Sequence, residues 1–277
     1  MIGDLHCHTR MSDGSMGIEE IVAYAKRMGL DFLAITDHDT MAGVKRASVL
    51  CNRYGISLIP GLELSVMDKT RNRKAHILCY LPDKTVLIDS LCSKITSSRS
   101  KVGQKMALEV MKYYPIVIEN ILKFSQGSLC IYKQHIMCAL IEAGYTNEMF
   151  GDLFKDLFDT KHGRVYEPVE YPDVESALKI VKSSGAIAVL AHPGVYSSFE
   201  LAEEMAEKKL ISGIELNHPK NTEEDKKQIL ELCDKYGLIT TGGTDFHGMY
   251  AKRPNPIGTC LSTDKQISDL FALKSKQ

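Results

Sequence analysis

Phe32-Leu33-Ala34-Ile35-Thr36-Asp37-His38-Asp39 decides the fold. Four apolar residues make a buried strand, and polar, ionisable residues follow at once. A helix N-cap role for Asp37 or Asp39, ahead of the run from Met41, accounts for an aspartate but not for His38. In α/β barrels the residues just past the strand C-termini line the active site. The same pattern recurs along the chain. Strands are expected at Ile2–His6, Phe32–Thr36, Ser57–Pro60, His76–Leu81, Ile187–Ala191, Gly213–Asn217 and Leu238–Gly242. Helical patterns lie between most of them. Ile18, Ile21, Val22, Ala25 and Met28 form one apolar stripe, which ends at Gly29. Thr222-Glu223-Glu224-Asp225 opens another helix with a capping-box pattern, and Gly237 stops it. Strands alternating with helices predict an α/β fold with a mainly parallel sheet, and seven such units predict a barrel.

The alternation fails between about Asp83 and Pro168, where several helices are expected and no convincing strand. The predicted organisation is therefore a barrel domain from 1–82 and 169–277, interrupted by an α-helical insertion domain at 83–168. The competing reading is a set of ordinary barrel helices with overlooked strands between them. The chain has 277 residues, with Lys+Arg 34 against Asp+Glu 35 and a net charge of −1. No broad basic surface exists to hold duplex nucleic acid or a membrane, so an anionic substrate needs a local site. The N-terminus shows no secretory pattern and no stretch of about 20 apolar residues occurs, which predicts a cytoplasmic protein. The eight cysteines contain no CxxC pair and read as reduced thiols, mostly core filler.

Nine histidines are more than packing calls for. His6 and His8 stand at i and i+2, on one face of an extended segment. Asp13 follows in a turn. His38 ends the strand quoted above, Glu63 follows Leu58–Leu62, and His192 follows Ala188–Ala191. Asp245 and His247 follow Ile239–Thr244, and His76 sits at a strand start. Singly, each is more simply a cap, a turn residue or a satisfied polar group. Jointly, their burial is costly unless a metal neutralises them. Nine N/O ligands exceed the roughly four that one zinc takes, and they suit two or three ions. Mixed His/Asp/Glu ligation fits Zn, Mn or Fe better than Ca or Mg.

Asp4-Leu5-His6-Cys7-His8-Thr9, Ser12-Asp13-Gly14, Ile35-Thr36-Asp37-His38-Asp39, Pro60-Gly61-Leu62-Glu63, Ala191-His192-Pro193-Gly194 and Gly243-Thr244-Asp245-Phe246-His247-Gly248 together resemble the PHP (polymerase and histidinol phosphatase) family. The likeness runs from Met1 to about Gly258. It is strongest to the small stand-alone phosphoesterases with a helical insertion, which act on nucleoside monophosphates, 3',5'-bisphosphonucleotides and short RNA 5' ends. The resemblance implies a distorted (β/α)7 barrel and a trinuclear metal site. One metal would take His6, His8, Glu63 and Asp245. A second would take Asp13, His38 and His247. A third would take His76, His192 and the other oxygen of Glu63. It also places His218 near the substrate pocket. Relatives carry Gly-Arg-Pro-His upstream of the helix end at Ala139–Tyr145; the stretch Gly127-Ser128-Leu129-Cys130 lacks that arginine and histidine.

The implied reaction is hydrolysis of phosphate monoesters or terminal phosphodiesters by a metal-bridging hydroxide, with the metals supplying the positive charge that the chain lacks. His192, His247 or a metal-bound water would protonate the leaving group. His218, Arg99, Lys133 and Arg164 are candidate contacts to phosphate or base, whereas His135 and His162 carry no motif. The substrate is expected to be a phosphorylated small molecule, a nucleotide or a short oligonucleotide. Two alternatives remain open: a small-metabolite phosphatase, for example for histidinol phosphate, and a non-catalytic partner-binding module.

Overall fold

A computed structural model describes residues 1–276, in which eight strands and eleven α-helices follow one another. The order is β1 (Gly3–Cys7), α1 (Ile18–Arg27), β2 (Phe32–Ile35), α2 (Val44–Tyr54), β3 (Ser57–Leu58), β4 (Gly61–Asp68) and β5 (Arg73–Tyr80). Four helices come next: α3 (Thr85–Val110), α4 (Ile118–Phe124), α5 (Lys133–Glu142) and α6 (Asp152–Phe158). The chain continues with α7 (Val174–Ser183), β6 (Ile187–Leu190), α8 (Pro193–Tyr196), α9 (Phe199–Glu207), β7 (Gly213–Asn217), α10 (Glu223–Tyr236), β8 (Ile239–Gly242) and α11 (Asp264–Lys274).

Local chemistry sets the helix ends. In α1 the Gly17 N–H donates to Glu20, acidic residues occupy the first turn and Lys26 and Arg27 the last, each complementing the helix dipole. Thr222 caps α10 through the Asp225 N–H, and Gly237 ends it at φ +65°, a left-handed position that glycine adopts without a Cβ clash.

The strands form two sheets. β1-β2-β3 is parallel, and the second sheet runs β4-β5-β6-β7-β8. Isolated bridges Cys7–Phe246 and His38–Glu63 link the sheets at the ends that carry the histidines. An apolar cluster also draws on both sheets, with Leu5, Ala34, Leu78, Tyr80, Ile187 and Val189 all buried. The Tyr80 hydroxyl donates to the Leu5 carbonyl at 2.7 Å within it.

The second sheet refines two expectations. Four of the six strand pairings are parallel, but β5 runs antiparallel to both β4 and β6. A whole strand also stands where the sequence reading ended one at Pro60. Leu62, Leu64 and Val66 alternate into the core, and Ala75, Ile77 and Cys79 match them across a polar turn. That period-two pattern on either side of Asp68–Asn72 is a hairpin signal. Glu63 is therefore the third residue of β4 rather than a residue past a strand end, and His76 lies inside β5 rather than at its start.

Among the described residues no strand lies between Tyr80 and Ile187. The second half of α3 packs with α4, α5 and α6 around Met106, Val110, Ile121, Ile136, Leu140 and Phe158, apart from the cores beneath the sheets. No described helix is long and apolar enough to cross a membrane, and all eight cysteines are free.

Gly243, just after β8, lets that segment lie against β1. A Cβ there would sit 2.2 Å from the His6 Cβ and 2.5 Å from the His6 nitrogen. Backbone cannot yield cheaply, so Gly243→Ala is expected to destabilise the chain by about 1–3 kcal/mol or more in urea denaturation. Unchanged stability would show that this contact does not hold the two segments together.

Candidate metal centre

β1 delivers His6 from its strand and His8 from just beyond its end, both fully buried. A tight loop then turns Asp13 back toward them. Ser12 and Gly14 both donate to the Thr9 carbonyl, and a Cβ on Gly14 would meet the His8 oxygen at 2.3 Å, so only glycine fits. Asp37 holds this loop from β2: it accepts the Thr9 N–H and hydroxyl at 2.7 Å each and the Ser12 hydroxyl at 2.6 Å. Asp37 is thus an anchor for the loop. Asp39 plays a similar part, accepting from Ser65 and from Arg99.

Glu63 sits at the middle of the histidines. Its Oε1 lies 2.9 Å from His76 Nδ1 and 2.8 Å from His192 Nε2. Its Oε2 lies 3.3 Å from His6 Nε2, 3.1 Å from His8 Nε2 and 3.2 Å from His38 Nδ1. Asp245 Oδ1 approaches His6 and His8 Nε2 at 3.4 Å each, and Asp13 Oδ1 approaches His247 Nε2 at 3.3 Å. Three groups have ligand atoms mutually within 4.8 Å: His6, His8, Glu63 and Asp245; His8, Asp13, His38 and His247; and His38, Glu63 and His76. His192 joins this array through Glu63 Oε1. All nine expected ligands therefore meet in one place.

The donors fit divalent cations. His6 Nε2 and His8 Nε2 face each other at 3.2 Å, where at most one can donate a proton to the other. His8 Nδ1, Asp13 Oδ1, His38 Nδ1 and His192 Nδ1 are buried without a hydrogen-bond partner. Unpartnered buried polar atoms are costly, and a shared ion of nitrogen and oxygen preference relieves this. Burial opposes charge on His6, yet Glu215, Glu63 and Asp245 raise its pKa, whereas burial holds His38 well below the usual range. Burial opposes the charge on Glu63, yet His76, His6 and His38 hold its carboxyl well below the usual range. Burial likewise opposes charge on His8, but hydrogen bonds to Asp245 and Glu63 outweigh it and push the imidazole up to about 10.

Backbone strain places two of these residues. His192 has φ +27° and Asp245 φ +53°, regions that cost a side-chain-bearing residue about 1–3 kcal/mol each. The His192 N–H donates to Glu215 Oε2 at 2.9 Å, which helps hold the turn.

Glu215 was not anticipated. It lies in β7, fully buried, and its Oε1 is 2.9 Å from His6 Nδ1. The available signal was a carboxylate inside the otherwise apolar run Gly213–Leu216. Gln134 also escaped notice; its Nε2 donates to Asp13 Oδ2 at 3.2 Å. It opens the cleft wall in the stretch Ile131–Gln134, whereas Gly127–Cys130, where a substrate motif was sought, does not line the cleft.

The proposed substrate contacts divide. His218 is buried behind Asp245: its Nδ1 accepts the Lys220 N–H, so Nε2 donates to Asp245 Oδ2 at 3.3 Å. Arg99 pairs with Asp39 at 2.6 Å and also lines a small chamber beside the centre, as does Lys133. Arg164 is exposed and pairs with Asp156. His135 is buried and accepts the Tyr132 N–H at the start of α5, and His162 donates its N–H to Asp159.

Hydrogen bonding to the far nitrogen of a metal-binding histidine commonly sets its orientation and basicity. Glu215→Gln is therefore expected to fold and to bind Mn about 10- to 100-fold more weakly by calorimetry. Because His8 must lose a proton to ligate, wild-type affinity should also rise from about pH 6 to about pH 9. Equal affinity in the variant and a flat pH profile would contradict both roles.

The PHP domain pattern matches residues 4–159. A phosphoribosyl 1,2-cyclic phosphate 1,2-diphosphodiesterase of Eggerthella lenta is 36% identical, over 92% of this chain and 97% of the relative. The 5'-3' exoribonuclease Rnm of Escherichia coli is 32% identical, over 89% of this chain and 85% of its own. A crystal structure from Bifidobacterium adolescentis, described as a metal-dependent phosphoesterase, superposes with a TM-score of 0.89 at 28% identity, covering 98% of this chain and 96% of that one. The sequence pattern, the full-length likeness and the histidine–carboxylate centre agree, and the chain belongs to the PHP domain family.

Proposed function

We propose that the chain hydrolyses phosphate esters carried on ribose, in nucleotides, ribose cyclic phosphates or the ends of short oligonucleotides. The chain is a phosphoric ester hydrolase of the metal-dependent PHP type. The ribose reading rests on the two relatives whose names give a phosphoribosyl cyclic phosphate and RNA as substrates. The observation that carries the chemistry is Glu63, whose two oxygens divide five imidazoles between them.

Two or three divalent ions, Zn, Mn or Fe, would be held by His6, His8, Glu63 and Asp245; by Asp13, His38 and His247; and by His76 and His192 with Glu63. Bound there, they supply Lewis-acid activation of water and neutralise phosphoryl charge. The chain's own groups do the rest. Glu215 fixes the His6 ring, and His218 fixes Asp245. Tyr196 packs its ring against His76 and His192, at centroid distances of 5.2 Å and 5.7 Å. His192 and His247 border the cleft, and we propose one of them, in place of ligating an ion, as the proton donor to the leaving oxygen.

The cleft has a volume of about 770 Å³, within the range of small-molecule sites, and Lys220, Lys252, Arg253, Phe150 and Tyr250 line it. Phe150 and Gln134 reach it from the helical stretch 83–168, which supports reading that stretch as an inserted lid. The bridges at Cys7–Phe246 and His38–Glu63 support closure of the two sheets into a distorted barrel. Eight free cysteines favour a cytoplasmic setting.

The test is a panel with added Mn: a ribose cyclic phosphate, AMP, 3',5'-bisphosphoadenosine, a 5'-phosphorylated RNA oligomer and histidinol phosphate. A ribose phosphate ester should have the highest kcat/KM, chelation should abolish turnover, and His192→Ala should lower kcat by about 100-fold or more. Preference for histidinol phosphate would overturn the ribose reading. Full turnover by the chelated chain or the variant would overturn the assigned centre.

A further inference from the structure

We propose that Gln134 is a positioning residue for the ion held by Asp13, His38 and His247. It locks Asp13 as a one-oxygen ligand, so that binding of this ion depends on the docking of α5. This rests on the ion assignment above and not on the ribose reading. The two oxygens of Asp13 have different surroundings. Oδ1 is buried without a hydrogen-bond partner and faces His247 Nε2 at 3.3 Å, His8 Nδ1 at 3.8 Å and His38 Nε2 at 3.9 Å. Oδ2 accepts from Gln134 Nε2 at 3.2 Å. A metal-bound carboxylate is ionised and can only accept, so the glutamine must turn its NH2 toward it. The terminal torsion of an aspartate is broad and roughly two-fold. A donor on one oxygen removes that freedom and leaves the other oxygen to the ion.

The aim of Asp13 matters more than that of any other carboxylate in the array. Within the group His8, Asp13, His38 and His247 it is the one anion, whereas both other groups contain Glu63. A dication left to neutral imidazoles alone would keep its full charge in a buried site, which is costly. The helix α5 reaches this group from outside the sheets. Gln134 is its second residue, and His135 Nδ1 accepts the Tyr132 N–H at 3.1 Å, which fixes the turn that carries Gln134. The buried His135 ring stands edge-on to Tyr250, three residues past His247, at a centroid distance of 6.1 Å. The loops of Asp13 and His247 are also tied to each other. The Ser15 N–H donates to the His247 carbonyl at 3.0 Å, and the Ser15 hydroxyl accepts the Met249 N–H at 2.8 Å. The first turn of α5 therefore bears on two loops that move as one, and those loops carry Asp13 and His247. The helical stretch 83–168 supplies no ligand of its own, yet it sets how one ligand is presented.

Mn binding to the full chain, followed by calorimetry without substrate, tests this. Gln134→Met keeps an unbranched side chain of similar length and Gln134→Ala removes it; both delete the donor. In each variant one class of Mn should bind about 10- to 100-fold more weakly while the other Mn affinities stay as in the wild type. At limiting Mn, anomalous maps recorded at the Mn edge should lose the peak beside Asp13 and keep the peak between His6 and Glu63. Turnover of the variants should fall at low Mn and recover when Mn is raised. A substrate contact would instead change KM at every Mn concentration. A merely structural role would lower the urea midpoint and weaken all classes of Mn together. Either of those results, or Mn binding in Gln134→Met equal to the wild type, would overturn the positioning role. A wild-type map with no peak beside Asp13 would overturn the ion assignment itself.

Discussion

A carboxylate with five imidazoles around it, inside a protein, is the constraint on which the rest of the structure turns. Glu63 is almost wholly buried, and each of its oxygens faces a different set of histidines. Removing one such charge from water costs several kcal/mol even after relaxation. Crowding imidazoles against it is tolerable only if cations, protons or metal ions, stand between them. That requirement explains why the histidines arrive from separate strands rather than one segment. No single strand or helix can place five rings around two oxygen atoms.

The scaffold meets this demand with rigid parts. His6 and His76 sit on strands, and Asp37 pins the loop that returns Asp13. His192 and Asp245 take left-handed backbone conformations where the chain leaves β6 and β8. Both turns aim a side chain inward, and Glu215 ties one of them to the His6 ring. The same carboxylate thus sets a ligand's orientation and holds a strained turn.

The sequence was most legible where chemistry and position coincide. A histidine or aspartate just past the end of a strand, as at His38, His192 and Asp245, marks a strand end facing a site. His6 and His8 are readable as a pair because alternation along a strand is exact. Legibility failed where a polar residue lies inside a strand. Glu63 and His76 stand out as candidate ligands, yet their strands read too short, since Pro60-Gly61 looks like a terminator and the hairpin that follows is polar at its tip. Glu215 was missed for the same reason, and its importance appears only once His6 from the far end of the chain lies beside it. Gln134 carries no local signal at all. Its place comes from α5 meeting the loop that holds Asp13, a long-range fact that periodicity does not encode.

The central claim is that metal ions, not protons alone, hold this histidine–carboxylate array together. Anomalous diffraction from Mn-soaked crystals, recorded at the Mn edge, tests it most directly. The account predicts two or three peaks inside the array, on both sides of Glu63, with Asp245 and Asp13 each beside one. A single peak, or peaks only at the surface with the array empty, would contradict it.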